Sequence, residues 1–468
     1  MAHHTLQTDY LITGSGAVGM AFADTLLSET TAKIVIVDRY AKAGGHWNVA
    51  YPFVTLHQPS SFYGVSSVEL SKGRIDRVGL NQGLNELATG ADVSAYFDDV
   101  MRHHFLPSQR VQFFPSCEYV GDGRFVSKLT GDTYQVEVAK KIIDATFLKT
   151  SVPSTHTPSF TIDKGVQFIP INDLPKLTAP PSEFVIIGGG KTAIDACLWL
   201  LDNKVDPDKI RWIMPRDAWL IDRGNTQPTP EFFTTTFGSQ ADQMQAVAES
   251  ESIADLFVPL ESAGVLLRLD PDVTPQMFHA ATVSQAELKA LRRIKNVVRM
   301  GRVQHLHVGQ VVLQGGRFAT QKDCVYVDCS ARAIPVKDPV PVFSGKVITP
   351  QTVRPFQPVF SAAFIAHIEA INENGDESSK NELCTVVPLP NWDVDWVRMQ
   401  AVAMMNQYRW SQEPGLGGWL RKNRLDGFSH LLGAATKDDI EKQHILKRLR
   451  ENAPAAAMKL QQYAAELT

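Results

Sequence analysis

Two segments of the chain repeat one pattern of apolar and polar residues. In each, a short apolar run leads into a glycine-rich turn, and a stretch with helical spacing of apolar residues follows the turn. The two runs are residues 9–13 and 183–187, and the helical stretches read MAFADTLLSE and IDACLWLLDN. Each segment therefore predicts a buried strand, a tight turn and a helix, the opening of a parallel α/β unit.

The first turn has the spacing of a dinucleotide-binding fingerprint. Gly14 permits the tight turn, Gly16 lets backbone amides approach a pyrophosphate, and Gly19 lets the helix pack on the strand. A second apolar run, residues 33–37, ends on Asp38, where a Rossmann unit places the acid that binds a ribose hydroxyl. The remaining candidate contacts of this site are Ser15, Ala17, Val18 and Arg39.

The second turn differs from the first in the charge that follows it. Its candidate contacts are Gly188, Gly190, Lys191 and Thr192, and alanine takes the place of the third glycine, which the fingerprint allows. The next apolar run, residues 210–214, leads to Arg216 and not to an acid. An arginine there can hold a 2′-phosphate through charge-assisted hydrogen bonds, which favours NADPH over NADH. The alternative is that Arg216 is a solvated loop charge.

Each unit is followed by short strands with turn signals, in residues 118–146 and 303–330. We therefore predict an α/β fold with two Rossmann-like dinucleotide-binding domains, each carrying a β-meander, and a helical C-terminal part. The first domain comprises residues 1–152 and 325–400, and the second comprises residues 153–324 with a helical insertion at 222–290. A helical segment at 401–468 completes the chain, with a possible capping box at residues 436–439.

Composition narrows the class of protein further. The chain has 468 residues, of which 44% are hydrophobic and 21% charged, and its net charge is −4. These values are typical of a globular protein and argue against nucleic acid as a partner. Five cysteines form no CxxC pair, so we predict no metal site and no redox dithiol. No apolar stretch is long enough to span a bilayer and no signal peptide is recognisable, so we expect a cytoplasmic protein with no membrane partner.

Four segments together resemble the class B flavin-dependent monooxygenases, which include flavin-containing and N-hydroxylating enzymes and belong to the two-dinucleotide-binding-domain flavoproteins. The segments are residues 14–19 with Asp38 and Arg39, residues 44–47 (GGHW), residues 56–61 (LHQPSS), and residues 188–193 with Arg216. The resemblance implies FAD at the first turn and NADPH at the second. It also implies that Gly45, His46 and Trp47 approach the flavin, and that Gln58 lies at or beside a polar flavin-side position.

The activity that the resemblance implies is oxygenation of a small molecule at nitrogen or sulfur. In that family, NADPH reduces FAD, and molecular oxygen then forms a C4a-(hydro)peroxyflavin that attacks the substrate. His57, Gln58 and Ser61 are the candidate catalytic residues. Two alternatives stay open: a flavoprotein reductase or dehydrogenase that inserts no oxygen, and a non-catalytic nucleotide-binding redox sensor. The oligomeric state is left open as well.

The sequence also departs from the family pattern. The FxGxxxHxxxW signature of the Baeyer–Villiger enzymes is not found between the two fingerprints, which lowers the rank of a ketone substrate. The ATG that closes the flavin-domain meander reads Ala145-Thr146-Phe147. The glycine-aspartate segment that cradles the flavin ribityl chain is not recognisable, and residues 356–370 are the stretch that would correspond to it.

Overall fold

The computed structural model describes residues 2–148, 150–332, 337–373 and 375–467. The strands are β1 (His3–Thr13), β2 (Ile34–Val37), β3 (Val111–Phe114), β4 (Cys117–Gly121), β5 (Arg124–Ser127), β6 (Thr133–Asp144), β7 (Thr161–Ile162), β8 (Phe168–Pro170), β9 (Phe184–Ile187), β10 (Ile210–Ile213), β11 (Ala218–Asp222), β12 (Leu266–Leu267), β13 (Met277–Val283), β14 (Val297–Val298), β15 (Val303–His307), β16 (Gln310–Leu313), β17 (Gly316–Ala319), β18 (Val325–Asp328), β19 (Phe343–Ser344) and β20 (Val347–Ile348). The helices are α1 (Ala17–Glu29), α2 (Gly90–Val100), α3 (Lys191–Asp202), α4 (Phe233–Glu249), α5 (Ile253–Ser262), α6 (Gln285–Leu291), α7 (Pro358–Ile371), α8 (Glu377–Leu383), α9 (Asp395–Gln412), α10 (Leu416–Lys422) and α11 (Ile440–Glu466).

The first sheet is built around β1. Its strand order is β19-β20-β6-β1-β2-β3, with β4 and β5 attached beside β6. β1 pairs in parallel with both β2 and β6. The last residues of β1 and all of β2 are buried, as expected for strands covered on both faces, and α1 packs against α7 on this sheet. The predicted first strand and helix are confirmed, and the strand begins earlier than predicted, at His3.

The second sheet has the order β14-β10-β9-β18-β8, and all of its strand pairs are parallel. β18 follows the second meander, and the sequence division placed it in the first domain. In the structure it lies beside β9, with Tyr326 opposite Val185. The assignment of residues 325–328 is corrected for this reason: four buried residues of β18 complete the second sheet.

Both predicted meanders are present. β4, β5 and β6 form successive antiparallel pairs, and so do β15, β16 and β17. The second meander forms a separate sheet with β7, which pairs in parallel with β15. This parallel pair joins the first residues of the predicted second domain to the second meander.

The insertion at residues 222–290 is not wholly helical, contrary to prediction. It contains α4, α5 and α6, but also β12 and β13, which flank β11 in a three-stranded sheet. β13 pairs in parallel with β11, and six of its seven residues are buried. The long-range pairing with β11 fixes this segment as a strand.

The C-terminal part is helical, as predicted, and α11 packs along α4 and α9. Arg448 on α11 bonds Asp242 on α4 at 2.6 Å, which ties the last helix to the insertion. The N-cap of α11 is Asp439, whose carboxylate accepts from the backbone N–H of Lys442 at 3.1 Å. The expected capping box beginning at Thr436 is therefore wrong, because the helix begins later. Among the described residues, no helix combines the length and apolar character needed to cross a membrane.

Candidate functional site

The first glycine turn connects β1 to α1 with almost no space for side chains. Gly14 has a φ of +96°, and its N–H donates to the carbonyl of Val37 at 2.8 Å. A Cβ added to Gly19 would lie 2.0 Å from the carbonyl oxygen of Gly14. The helix can therefore approach the strand this closely only with glycine at position 19.

The segment that begins at Gly44 crosses the first turn directly. The N–H of Gly44 donates to the carbonyl of Ser15 at 2.9 Å, and a Cβ on Gly45 would lie 2.8 Å from the Cα of Gly16. Gly16 is the N-cap of α1, and no side chain caps the helix there. A backbone cradle without side chains at a helix N-terminus is the geometry that binds a pyrophosphate. These residues fit the diphosphate of FAD.

Asp38 lies at the predicted ribose position, and it also stabilises the first glycine turn. Its buried carboxylate accepts from the N–H of Ser15 at 2.5 Å, from the Ser15 hydroxyl at 2.8 Å, and from the N–H of Tyr40 at 2.7 Å. Arg39 is exposed, and its guanidinium lies 5.1 Å from the ring of Tyr40. The ribose contact of Asp38 stays a prediction, since both of its oxygens already accept from the protein.

Trp47 is held by packing and by a hydrogen bond. Its indole N–H donates to the hydroxyl of Tyr63 at 2.8 Å, and the ring of His46 stacks on it at 5.2 Å. Burial lowers the pKa of His46 to about 4 and raises the pKa of Tyr63 above its ordinary range. Both groups are therefore uncharged near neutral pH. Together with Trp47 they form an uncharged cluster of aromatic rings.

The turn with the three candidate catalytic residues carries polar atoms that lack partners. Within the described residues, the Nδ1 atom of His57 and the hydroxyl of Ser61 are buried and make no hydrogen bond. Gln58 lies between them in the chain and is partly buried. Burial lowers the pKa of His57 to about 3, and the nearby charges of Lys191 and Arg223 act in the same direction. Unpartnered buried polar atoms are costly, so these two atoms are available for hydrogen bonds with a ligand or with water.

The second glycine turn is joined to this region through Asp195 on α3. Lys191 donates to one carboxylate oxygen of Asp195, and the hydroxyl of Tyr51 donates to the other at 2.6 Å. Burial and the Asp195 charge raise the pKa of Tyr51 well above its ordinary value. Tyr51 follows the GGHW segment, so this bond joins that segment to the first turn of α3, and the charges of Lys191 and Asp195 act on His57. The sequence offered no motif for Tyr51 or Asp195.

Arg223 is a second connection that the sequence analysis did not identify. It is fully buried and donates to the carbonyl of His57 at 3.1 Å, to Asn81 at 3.0 Å, to the carbonyl of Thr282 at 3.3 Å, and to Glu287 at 2.8 Å. The signal in the sequence is weak, since it is a single arginine directly after the apolar run of β11. Its contacts fix the backbone of the His57 turn against the insertion.

Arg216 lies beyond the end of β10, as predicted from the chain pattern. Its guanidinium stacks over the ring of Trp392 at 4.4 Å, and the side chain is partly buried. Thr192 and Lys191 open α3, whose N-cap Gly190 has no side-chain cap. The indole of Trp212 donates to the carbonyl of Gly188 at 2.7 Å and fixes the start of this turn.

The buried histidines give an expected pH dependence of stability. In an unfolded chain, His46 and His57 have pKa values of about 6.5, and folding lowers them to about 4 and about 3. Below about pH 6.5 the unfolded state binds protons that the native state does not bind, so the free energy of unfolding falls as the pH falls. The slope is at most about 1.4 kcal/mol per pH unit for each histidine.

This expectation is checked by urea unfolding at a series of pH values from about 7 down to 4.5. His57→Gln should make the loss of stability on acidification shallower. His104→Gln, at an exposed position, serves as the control and should leave the slope unchanged. Equal slopes in His57→Gln and the parent protein would show that His57 titrates normally.

Two sheets with parallel central strands, each with a glycine turn that leads into a helix, define an α/β protein with two Rossmann-like units. Over 428 residues the chain is 48% identical to the uncharacterized protein Rv2000 of Mycobacterium tuberculosis, which covers 92% of this chain and 79% of that protein. The uncharacterized protein Mb2023 of Mycobacterium bovis matches with the same identity and coverage. The chain belongs to the same family as these mycobacterial proteins. No family model matches it.

Solved structures that resemble the chain are more distant in sequence. An open crystal structure of cyclohexanone monooxygenase is 12% identical, covers 88% of this chain and 99% of its own, and gives a TM-score of 0.48. A flavin-containing monooxygenase from Stenotrophomonas maltophilia is 13% identical, covers 78% of this chain and 98% of its own, and gives a TM-score of 0.42.

Proposed function

We propose that the protein is an NADPH- and FAD-dependent monooxygenase that oxygenates a small molecule at nitrogen or sulfur. The observation that carries the proposal is the pair of buried, unpartnered polar atoms, His57 Nδ1 and Ser61 Oγ, with His57 close enough to the second glycine turn for the charge of Lys191 to act on it. When bound, FAD would supply the chemistry that accepts hydride from NADPH and reacts with molecular oxygen. The protein's own part is to bind, to orient and to exclude water.

FAD would be held at the first turn. Gly16 and Gly45 leave room for the pyrophosphate to approach the backbone, and the positive end of the α1 dipole favours the negative charge. Asp38 keeps the turn in its shape through Ser15. Trp47, fixed by Tyr63, would limit the access of water on the flavin side of this turn.

NADPH would be held at the second turn. The N-terminus of α3 carries no side-chain cap, and Lys191 is anchored at the same end by Asp195. Arg216 stands after β10, where a 2′-phosphate is recognised in Rossmann units. Its stacking on Trp392 leaves the guanidinium edge available for hydrogen bonds.

His57, Gln58 and Ser61, which lie between the two glycine turns along the chain, would orient the reacting groups. Because the pKa of His57 is about 3, its ring stays neutral from about pH 5 upward and acts through hydrogen bonds without carrying charge. The Ser61 hydroxyl can donate or accept a hydrogen bond. Gln58, between them, has an amide that can do both, so the three side chains suit recognition of a neutral, polar cofactor edge.

The proposal is tested with oxygen-18 gas, NADPH and a panel of amines and thioethers. We expect the heavy isotope in a hydroxylamine, N-oxide or sulfoxide, with NADPH consumption matched to product. In Gln58→Ala, a larger share of the NADPH should end as hydrogen peroxide, because a polar contact beside the reacting groups is lost. Gln82→Ala, in an exposed turn, is the matched control and should keep the coupling of the parent.

The other outcomes separate the alternatives. Rapid NADPH oxidation with no label in any product, and with electrons passed to an added acceptor, would support a reductase or dehydrogenase. A purified protein that binds nucleotide but neither retains FAD nor oxidises NADPH would support a redox sensor. Unchanged coupling in Gln58→Ala would remove Gln58 from the site.

Arg216→Ala tests the cofactor choice separately. We expect the KM for NADPH to rise by about 10- to 100-fold while the KM for NADH changes little, since a charge-assisted contact to phosphate is worth about 1.5–3 kcal/mol. Steady-state kinetics with both nucleotides measures this, with Arg102→Ala on the exposed surface as the control. Equal effects on NADPH and NADH would contradict a 2′-phosphate contact.

A further inference from the structure

A cluster of two histidines and one carboxylate lies on the second meander, away from the glycine turns. His305 and His307 are two residues apart on β15, so their side chains leave the same face of the strand. Leu306, between them, points to the opposite face and is fully buried. Asp163 follows β7, the strand that pairs with β15.

The three side chains converge on one point. Asp163 Oδ1 lies 2.6 Å from His305 Nε2, and Asp163 Oδ2 lies 2.7 Å from His307 Nδ1. One ligand atom from each residue lies within 4.8 Å of the others. The side chains are 32%, 39% and 44% exposed for His305, His307 and Asp163, so water can reach the cluster.

The backbone and a neighbouring hydroxyl fix this arrangement. The N–H of Asp163 donates to the carbonyl of Leu306 at 2.9 Å, which locks the carboxylate beside β15. Thr161 Oγ1 lies 2.7 Å from His305 Nδ1 and holds the ring, leaving Nε2 directed at the cluster. A hydrogen bond to the second ring nitrogen is the usual support of a histidine that binds a metal.

The geometry of the cluster suits one divalent cation. The rings of His305 and His307 are stacked with centroids 3.9 Å apart, and both contact the same carboxylate. A single metal ion can satisfy both ring nitrogens and the carboxylate together. In a tetrahedral zinc site neighbouring ligand atoms are about 3.3 Å apart. The hydrogen-bonded pairs would widen by about 0.6 Å, and ligand atoms as far apart as 4.8 Å would approach by about 1.5 Å.

We propose that Asp163, His305 and His307 form a binding site for a divalent transition-metal ion of the zinc class, completed by water. Two imidazole nitrogens and one carboxylate suit zinc, and hard cations such as magnesium prefer oxygen ligands. The bound ion would join the β7 segment to the second meander, close to where the chain enters the second unit. No local ligand spacing marks this site in the sequence, because the carboxylate lies 142 positions from His305 along the chain.

The proposal is tested by calorimetric titration of the full chain with zinc chloride at about pH 7.5. The titration uses a His3→Ala/His4→Ala background, since adjacent histidines can themselves bind transition metals. We expect about one equivalent of zinc to bind. Binding should weaken by at least about 100-fold in His305→Gln, His307→Gln and Asp163→Asn, while His104→Gln should bind like the background protein. Circular dichroism confirms that each variant is folded.

A further variant sharpens the result. Thr161→Val should weaken zinc binding by about 10- to 100-fold, because the ring of His305 loses its support. Equal affinity in Asp163→Asn and the background protein, or no uptake of zinc, would overturn the proposal. Magnesium binding as tight as zinc binding would overturn the assigned class of metal.

Discussion

Arg223→Met is expected to lower the free energy of unfolding by about 3–5 kcal/mol, since it removes one partner of a buried ion pair. The side chain is fully buried and bonds Glu287 at 2.8 Å. The methionine leaves Glu287 charged in a poorly solvated place and leaves Asn81 and the carbonyls of His57 and Thr282 without this donor. Denaturant unfolding followed by tryptophan fluorescence measures the change.

A second variant separates charge from packing. Arg223→Met/Glu287→Gln removes both charges, so it should be more stable than Arg223→Met by at least about 1 kcal/mol. Arg102→Met removes an exposed partner of Asp98 and should cost less than about 1 kcal/mol. If Arg223→Met were as mild as Arg102→Met, the buried network around residue 223 would not support the His57 turn.

Gly19→Ala should cost about 3 kcal/mol or more and should abolish retention of FAD. A Cβ at this position would lie 2.0 Å from the carbonyl oxygen of Gly14, a backbone atom that cannot rotate away. Helix α1 would have to move off β1, and the backbone cradle at Gly16 would open. Thermal unfolding measures the stability, and the flavin absorbance of the purified protein measures retention.

The matched control is a glycine with space around it. Gly238 lies inside α4 with no atom within 4 Å of an added Cβ, so Gly238→Ala should stabilise the protein by about 0.4–1 kcal/mol. A Gly19→Ala variant that keeps its flavin and its melting temperature would show that the helix does not need this close contact. The two substitutions add the same methyl group. The difference between their changes in the free energy of unfolding therefore reflects how tightly each position is packed.

The glycine turns and the two meanders could be predicted from the sequence because residues close together in the chain determine their backbone conformation. The spacing of Gly14, Gly16 and Gly19 requires a turn that only small residues permit, and it correctly predicted the strand, the turn and helix α1. Both β-meanders were predicted for the same reason, since glycine and aspartate mark their turns. By contrast, β13 was missed because its pairing with β11 involves residues far apart in the chain.

The candidate site was predicted only in outline. The motifs identified the segments around His57 and Lys191, but they gave no signal that Tyr51 would bond Asp195, a residue 144 positions away. They placed Asp38 at the ribose position but gave no signal that its carboxylate would also accept hydrogen bonds from Ser15 in the glycine turn. Side-chain partners of this kind depend on how helices and strands from distant parts of the chain pack together. The spacing of apolar and polar residues does not predict that packing.

By itself, the sequence determined the two glycine turns, the parallel strands that precede them and the charge difference between Asp38 and Arg216, because each depends on neighbouring residues. Only the tertiary structure decided which side chains meet. It brought Arg223 to the carbonyl of His57 across 166 positions and Asp163 to His305 across 142 positions. Such contacts form when two packed surfaces come together, so their energy depends on distances in space and leaves no regular pattern along the chain.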